Sequence, residues 1–177
     1  TEFMLLDYRR SLLGFVPEEY LIKYCPSQKS GTETTKALAG SLQNRVPGPD
    51  VTTQQYRDRS WWSGAEVFVI VDDYELVSTT QGNALLPMAE LVSQARDIGL
   101  HMIITRGFGG AARSVGDQII GRMRDSGAPA FIMSGNRDEG TIWSNYRGTP
   151  LPPGRGQLIT RAGQVLAQVA NLPPAQL

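Results

Sequence analysis

The stretch Val67-Phe-Val-Ile-Val-Asp-Asp-Tyr74 decides how the rest of the sequence is interpreted. Its five consecutive apolar residues predict a strand that is buried on both faces, as in the centre of a parallel sheet. Because ligands of open α/β sheets bind beyond the carboxyl ends of the strands, Asp72 and Asp73 are expected at a functional edge. One carboxylate there can hold a hydrated Mg²⁺ while the other orients or activates a water, which is the Walker B pattern. The same residues also suit a strand whose terminal acids cap the next helix.

The amino-acid composition predicts a single globular domain spanning residues 1–177. Hydrophobic residues make up 41% and charged residues 19% of the chain, which is typical of folded proteins. A formal net charge of zero provides no global basic field and therefore disfavours a nucleic-acid partner. No apolar run reaches the length of about 20 residues that a membrane helix needs. Cys25, the only cysteine, excludes an internal disulfide and favours a reducing cytosolic setting.

Short apolar runs bounded by turn residues predict further strands. They are Phe3–Tyr8, Leu21–Cys25, Leu100–Thr105, Ala128–Met133 and a hairpin of Gln157–Thr160 with Val165–Val169. Helical patterns predict four helices, at about Thr32–Val46 with Ser30 or Thr32 as its cap, from Thr52 or Thr53 through Arg59, at Ala84–Asp97 and at Val115–Arg124. Their alternation with the strands predicts an α/β fold with a mostly parallel sheet and helices on both faces.

Several residues near these strands have both a structural and a functional interpretation. Trp61 and Trp62 precede the central strand, and we expect them to pack against the protein rather than to bind a ligand. His101 has no second histidine or cysteine nearby, so core packing is a better prediction than metal binding. Thr105 and Arg106 end their strand at the same edge as Asp72, where they could sense a bound phosphate or be simply solvated.

The order of these segments and three local motifs point to a known family. The motifs are Asp7-Tyr-Arg-Arg10, Val71-Asp-Asp-Tyr74 and Arg59-Ser-Trp-Trp-Ser-Gly64. Nearly the whole chain resembles the P-loop ATPases of the FtsK/SpoIIIE type, and in particular the C-terminal ATPase modules of the EccC proteins of mycobacterial type VII (ESX) secretion systems. The resemblance implies a RecA-like P-loop ATPase core, with ATP and Mg²⁺ as cofactors of the intact parent module.

The resemblance also implies roles for individual residues. Asp72 would bind Mg²⁺, and Asp73 would act beside it as the second catalytic carboxylate. Four residues would contact the nucleotide: Thr105, Arg106, Pro153 and Gly154. Arg96 would be an arginine finger that reaches a neighbouring module's nucleotide, although it also suits a helix C-terminal cation that pairs with Asp97.

The sequence departs from this family in two respects. It contains no Gly-x-x-x-x-Gly-Lys-Ser/Thr motif, so we expect the P-loop strand and helix to precede Phe3 and to be absent from this chain. Without that loop, the β- and γ-phosphates lose most of their contacts. The second departure is the pair Asp72-Asp73, which replaces aspartate followed by glutamate and shortens the reach toward an attacking water. The sequence therefore leaves open whether the chain is an enzyme, and predicts little hydrolysis by the chain alone.

Three functions compete at this point. The leading one is a nucleotide-binding ATPase module of a type VII secretion motor, which joins other ATPase modules in an oligomeric ring and binds the C-terminal signal of secreted substrates. Such a module would lie on the cytoplasmic side of the membrane without inserting into it. The second function is a degenerate recognition module that binds a substrate peptide without handling nucleotide. The third is a DNA-translocating motor, which the zero net charge and the secretion-type motifs disfavour.

Overall fold

The computed structural model describes residues 1–170, apart from the side chains of residues 113–115. The chain forms two compact units, one of residues 1–106 and one that begins at Gly107. Each unit contains a sheet of its own. That residues 1–177 act as one domain stays a prediction.

The first unit is built around a parallel sheet of four strands. Its elements in chain order are β1 (Glu2–Asp7), β2 (Leu21–Cys25), α1 (Gln28–Gln43), α2 (Thr53–Asp58), β3 (Val67–Asp72), α3 (Tyr74–Val77), β4 (Ser78–Thr79), β5 (Gly82–Asn83) and β6 (Leu100–Ile104), with 3-10 helices at Glu18–Tyr20 and Leu86–Gln94. The strand order is β2-β1-β3-β6, and β4 and β5 form a small separate hairpin. The predicted α/β class and the four strands of this sheet are confirmed, and β3 lies inside the sheet between β1 and β6.

Burial alternates along β3 although its sequence is apolar up to the first aspartate. The buried residues are Val67, Val69 and Val71, and the partly exposed ones are Phe68, Ile70 and Asp72. The buried face lies against α1, where Gly31 leaves no spare room beside Leu6 of β1. On the opposite face, the Phe68 ring stacks on His101 with centroids 4.3 Å apart and packs against Phe3 in a tilted arrangement with centroids 5.5 Å apart. The prediction that both faces of β3 are buried is therefore wrong, because the described residues cover one face more completely than the other.

Helix α1 begins four residues before its predicted start. Ser27, rather than Ser30 or Thr32, is the N-cap, and its hydroxyl oxygen accepts the Ser30 N–H at 3.3 Å. Polar residues fill the first turn, so the spacing of apolar residues could not locate the start. Helix α2 does have the predicted Thr52 cap, which Gln55 completes as a capping box.

The helix predicted between β3 and β6 is wound more tightly than an α-helix. It is a 3-10 helix from Leu86 to Gln94 with Pro87 in its first turn, and its buried residues include Met88, Leu91 and Val92. At about 2.0 Å per residue, nine residues of 3-10 helix span about 18 Å. This length is close to the roughly 16 Å of the five-residue strand β6 that follows, and the chain must return by about one strand length to begin a strand parallel to β3.

The second unit contains an antiparallel sheet of three strands. Its elements are α4 (Gln118–Asp125), β7 (Ala130–Met133), β8 (Thr141–Trp143), β9 (Tyr146–Arg147), β10 (Arg155–Thr160) and β11 (Gly163–Gln168), with 3-10 helices at Ala111–Gly116 and Arg137–Glu139. The sheet order is β11-β10-β7. The predicted hairpin is confirmed, with Thr160 opposite Gly163. Strand β7 pairs antiparallel with β10, so this predicted strand lies outside the parallel sheet.

Helix α4 starts at Gln118, three residues later than predicted. The reason is Asp117, whose carboxylate accepts the N–H groups of Ile119 and Ile120 at 2.9 and 3.1 Å. Such a cap satisfies N–H groups that have no partner inside the helix. The first helical turn is therefore set by the capping aspartate rather than by the apolar residues upstream of it.

Candidate functional site

The carboxyl ends of β1 and β3 bring two aspartates together. Asp7 and Asp72 are direct partners in the parallel register, so their side chains lie on the same face of the sheet. Thr105 follows β6, the next strand on the other side of β3. The edge that the sequence predicted for Asp72 therefore also holds Asp7, which belongs to the Asp7-Tyr-Arg-Arg10 motif but was given no role at the site. The available signal was the same one: a buried apolar run, Phe3 to Leu6, that ends in an acid.

The Asp72 carboxylate is held by two hydroxyl groups. Thr105 Oγ1 donates to Asp72 Oδ1 at 2.7 Å, and Ser11 Oγ donates to Asp72 Oδ2 at 2.5 Å. Each carboxylate oxygen has about two lone-pair directions, so both oxygens keep one position for a further donor or a metal-bound water. Ser11 had no sequence signal, because it acts through the shape of the turn after β1.

Asp7 is fully buried and accepts hydrogen bonds from three donors. They are the Leu12 N–H at 2.7 Å, the Tyr24 hydroxyl at 2.8 Å and the Ser11 N–H at 3.1 Å. Burial alone would raise the pKa of the Asp7 carboxyl, but the hydrogen bonds from Leu12, Tyr24 and Ser11 outweigh burial and lower it. Burial and the bond to Asp7 raise the pKa of Tyr24 to about 12, so its phenol stays a donor. The edge therefore carries a permanently ionised Asp7 at neutral pH.

Ser11 has one hydroxyl proton for two carboxylates. Its Oγ lies 2.5 Å from Asp72 and 3.3 Å from Asp7, which assigns the proton to Asp72. The Ser11 N–H donates to Asp7 instead. One residue thus bridges both acids, and their negative charges are tolerated side by side because each receives several donors.

Asp73 adopts a left-handed backbone conformation, with φ 50° and ψ 64°. Its N–H donates to Thr105 Oγ1 at 3.2 Å, and its carboxylate forms an ion pair with Arg9 Nε at 2.8 Å. Although Asp73 occupies the N-cap position of α3, its side chain makes no capping hydrogen bond. The interpretation of these acids as plain helix caps is therefore wrong. The left-handed turn directs the second carboxylate toward Arg9.

Thr105 connects both aspartates to β6. Its hydroxyl donates to Asp72 and accepts from the Asp73 N–H, and its carbonyl oxygen accepts the Tyr74 N–H at 2.9 Å. Arg106 follows directly, is partly buried and ends the first unit. The structure thus brings Asp72, Asp73 and Thr105 together, while their roles in nucleotide binding stay predictions.

Pro153 and Gly154 lie in the second unit, in the turn before β10. Gly154 has φ 74°, which favours glycine, and its carbonyl oxygen accepts the Val169 N–H at 2.8 Å. The Pro153 carbonyl oxygen accepts Gln168 Nε2 at 3.2 Å. The end of β11 therefore fixes this turn, and the proposed contact with a nucleotide stays a prediction.

Arg96 is exposed in the turn between the 3-10 helix and β6. This turn lies at the amino end of β6, about 16 Å, or five residues of strand, from the edge where Thr105 lies. Within residues 1–170, Arg96 forms no ion pair. The suggested partner Asp97 instead accepts the Tyr56 hydroxyl at 3.4 Å, so the predicted Arg96–Asp97 pair is wrong. A position remote from Asp72 is compatible with action on a neighbouring module, and the finger role stays a prediction.

The two tryptophans are packed, as predicted. Trp61 Nε1 donates to the Arg45 carbonyl at 2.7 Å, and Trp62 Nε1 donates to the Asp97 carbonyl at 2.8 Å. The guanidinium of Arg45 lies 4.5 Å from the Trp62 ring centroid, while the ring edge fills the space beside Gly99. Both indole N–H groups therefore donate to backbone carbonyl groups, which supports a packing role for the two tryptophans.

His101 differs from its prediction as a core residue. Its side chain is 40% exposed, and its Nε2 lies 2.9 Å from Glu66 Oε2. The hydrogen bond to His101 is the main factor that lowers the pKa of Glu66. Cys25 is buried, and burial raises the pKa of its thiol, which makes it unreactive. Among the residues that the structure describes, no three His, Cys, Asp or Glu side chains form a cluster able to hold a metal.

The edge fits the carboxylate half of a magnesium site. Mg²⁺ in proteins usually keeps several waters and binds through one or two carboxylates together with substrate phosphates. Asp72, fixed by two hydroxyls and still offering lone pairs, suits that use. The sequence of this chain contains no phosphate-loop motif to complete it.

In the part of the chain from Thr1 to Ala170, no helix is long and apolar enough to cross a membrane.

Comparison with known proteins gives consistent matches to one group. No family model matches the chain. The ESX secretion system protein EccC of Thermomonospora curvata is 45% identical over 171 residues, which cover 96% of this chain and 13% of that protein. The ESX-4 secretion system protein EccC4 of Mycobacterium tuberculosis is 42% identical over 175 residues, which cover 98% of this chain and 14% of that protein.

Two solved structures share the fold at the same level of identity. One is the cytoplasmic domain of the T. curvata type VII secretion ATPase EccC, and the other contains ATPases 2 and 3 of that protein in complex with a signal sequence peptide. Both have a TM-score of 0.92 and 44% identity over 97% of this chain, and the match spans 20% and 31% of their chains. The chain spans about one seventh of the length of T. curvata EccC and of M. tuberculosis EccC4.

Proposed function

Because the chain is a homologue, over nearly its whole length, of the ATPase domains of EccC proteins of type VII (ESX) secretion systems, we propose that it is one module of such a secretion motor. It contributes to the recognition and export of secreted substrates. A relative of known structure carries a signal sequence peptide, which supports a peptide as the substrate of this module too.

The main observation behind this proposal is that the acidic residues lie at the carboxyl ends of the strands in a sheet with the fold of the EccC ATPase domains. Asp72, Asp73 and Thr105 are linked by hydrogen bonds at the carboxyl ends of β3 and β6. In an open α/β sheet, this is the edge at which ligands bind. The combination of fold and edge supports nucleotide handling in the full secretion protein.

The residues of this chain would divide the work as follows. Bound Mg²⁺–ATP supplies the phosphoryl group. Asp72 would hold the water shell of the metal, oriented by Ser11 and Thr105. Arg106, Pro153 and Gly154 would contact the nucleotide, and Arg96 would reach a neighbouring module of an oligomeric ring on the cytoplasmic side of the membrane. Asp73 would orient an attacking water only when Arg9 releases its carboxylate.

A recognition module without nucleotide handling is the second candidate. The ion pair between Arg9 and Asp73 favours it, because it occupies the carboxylate that an ATPase would use on water. The shorter aspartate at position 73 and the missing phosphate-loop motif point the same way. In both candidates, the module binds the C-terminal signal of a secreted substrate.

Peptide binding tests the part that both candidates share. We expect the 177-residue chain to bind a fluorescent peptide taken from the C-terminus of a substrate that the parent secretion system exports, measured by anisotropy. A scrambled peptide of the same composition is the control. Equal binding of the two peptides, or no binding of either, would contradict substrate recognition by this module.

Export by the full secretion protein separates the two candidates. Asp72→Ala should abolish substrate export in the source organism if the edge handles nucleotide, since the metal's carboxylate is lost. Asp50→Ala removes an exposed acid elsewhere in the same unit and is the matched control. Normal export by the Asp72 variant would leave recognition without nucleotide as the function.

A further inference from the structure

The second unit has a polar cleft that none of the roles above uses. Its volume is about 380 Å³, which lies within the usual range for small-ligand sites. All of its lining residues are polar, and none is acidic. The residues that define it are Arg137, Arg147, Asn145, Thr149, Gln157 and Gln164.

Four separate elements bring these side chains together. Arg137 starts the 3-10 helix Arg137–Glu139, where the side chain of Asn136 accepts the Asp138 N–H at 3.0 Å. Arg147 lies in β9, opposite Thr141 of β8. The cleft is therefore formed on paired strands and a capped turn, which hold its walls in place.

The two glutamines share one face of the antiparallel sheet. Gln164 of β11 is the direct partner of Ile159, which lies two residues after Gln157 on β10. Residues two apart on a strand point to the same side, so Gln157 and Gln164 are diagonal neighbours on that face. Each amide offers both donors and an acceptor to whatever occupies the cleft.

The two arginines are not neutralised by nearby acids. Within the described residues, neither Arg137 nor Arg147 forms an ion pair. Glu139, two residues from Arg137, directs its carboxylate to the Gly110 N–H at 2.9 Å. Among the lining residues, Arg137 and Arg147 are the charged ones, so the lining carries a positive charge.

We propose that this cleft binds an oxyanion, either a carboxylate or a phosphate group. Guanidinium groups present paired N–H donors whose spacing matches the oxygens of both anions. The amides of Asn145, Gln157 and Gln164 add neutral donors around the same space. The arginines are exposed, so the attraction is screened by salt and affinity should fall as ionic strength rises.

The test uses the full 177-residue chain and two probes, inorganic pyrophosphate and a tetraglutamate peptide, titrated by isothermal calorimetry at low and at physiological salt. We expect at least one probe to bind, with an affinity that falls as salt increases. Binding of pyrophosphate alone identifies a phosphate site, and binding of the peptide alone identifies a carboxylate site. If neither probe binds at low salt, the proposal is wrong.

Two variants assign the binding to the cleft. Arg137→Gln with Arg147→Gln should weaken the bound probe at least tenfold, while the melting temperature stays unchanged because both side chains are exposed. Arg155→Gln removes the same charge from β10, outside the lining, and should change affinity less than twofold. Equal weakening by the control and by the double variant would overturn the cleft as the site.

Discussion

Arg9 Nε lies 2.8 Å from Oδ2 of Asp73, so the second carboxylate of the Asp72-Asp73 pair is engaged by a residue only two positions after Asp7. Asp73 reaches Arg9 from a left-handed backbone conformation. The two carboxylates therefore differ in the groups that hold them. Asp72 is held by hydroxyl donors, and Asp73 is held by a cation.

Removal of this ion pair should change activity more than stability. The Arg9 side chain is 63% exposed, and exposed pairs contribute about 0–1 kcal/mol. We expect Arg9→Gln to lower the free energy of unfolding by less than about 1 kcal/mol in urea titrations. ATP hydrolysis by the full secretion protein should rise if Arg9 restrains Asp73. Arg10→Gln is the control, and hydrolysis that is the same in both variants would show that Arg9 does not restrain it.

Asp7→Asn should destabilise the first unit. The buried Asp7 carboxylate accepts three hydrogen bonds, and the NH₂ of an amide at this position would face one of these donors instead of accepting from it. Unpaired buried donors cost about 1–3 kcal/mol. Tyr24→Phe removes a single donor and should cost less, about 1 kcal/mol. Urea unfolding of both variants checks the order, and a smaller loss for Asp7→Asn than for Tyr24→Phe would contradict it.

The same aspartate should make stability depend on acid pH. Its pKa in the folded chain is lowered from the ordinary value of 3.8. The unfolded chain therefore takes up a proton first as pH falls, and the stabilisation present at neutral pH is lost from about pH 5 downward. Urea unfolding of the wild-type chain and of Asp7→Asn across this range should show a shallower decline for the variant. Parallel declines would assign the acid sensitivity to other carboxyls.

Two glycines should respond to alanine in opposite directions. Gly99 has φ 68°, and a Cβ there would lie 2.5 Å from the Trp62 ring. We expect Gly99→Ala to lower stability by about 1–3 kcal/mol, as for an overpacked site. Gly40 lies inside α1 with open space around it, so Gly40→Ala should raise stability by up to about 1 kcal/mol. Thermal melting of both variants measures the difference, and a neutral Gly99→Ala would mean that the tryptophan can move aside.

Arg96 should matter only in an assembly. It is exposed and forms no ion pair among residues 1–170, so Arg96→Ala should leave the melting temperature of the chain almost unchanged. As an arginine finger it would contribute a factor of about 10³–10⁵ to hydrolysis in the assembled secretion protein. Arg57→Ala, which removes an exposed arginine from α2, is the control. If both variants keep full activity after assembly, Arg96 is not a finger.

The sequence predicted the parallel sheet and its functional edge because both are local properties. An apolar run that ends in an acid predicts a strand and places the acid at the carboxyl end, which holds for Asp72. Ser11 and Tyr24 could not be predicted in the same way, because they reach Asp7 through a turn and through a neighbouring strand. The pairing of β7 with β10 is also non-local, and no pattern within Ala130–Met133 distinguishes parallel from antiparallel pairing.

The turn after β1 holds both acids of the edge at once. Arg9 forms an ion pair with Asp73, and Ser11, two residues later in the same turn, donates a hydrogen bond to Asp72. Just beyond them, Leu13 and Phe15 stand 60% and 53% exposed. A ligand that binds either carboxylate would compete with Arg9 or Ser11 for it, and both of these residues belong to the turn that carries the two exposed apolar side chains. One short turn therefore joins the acidic edge to an apolar patch on the surface of the first unit.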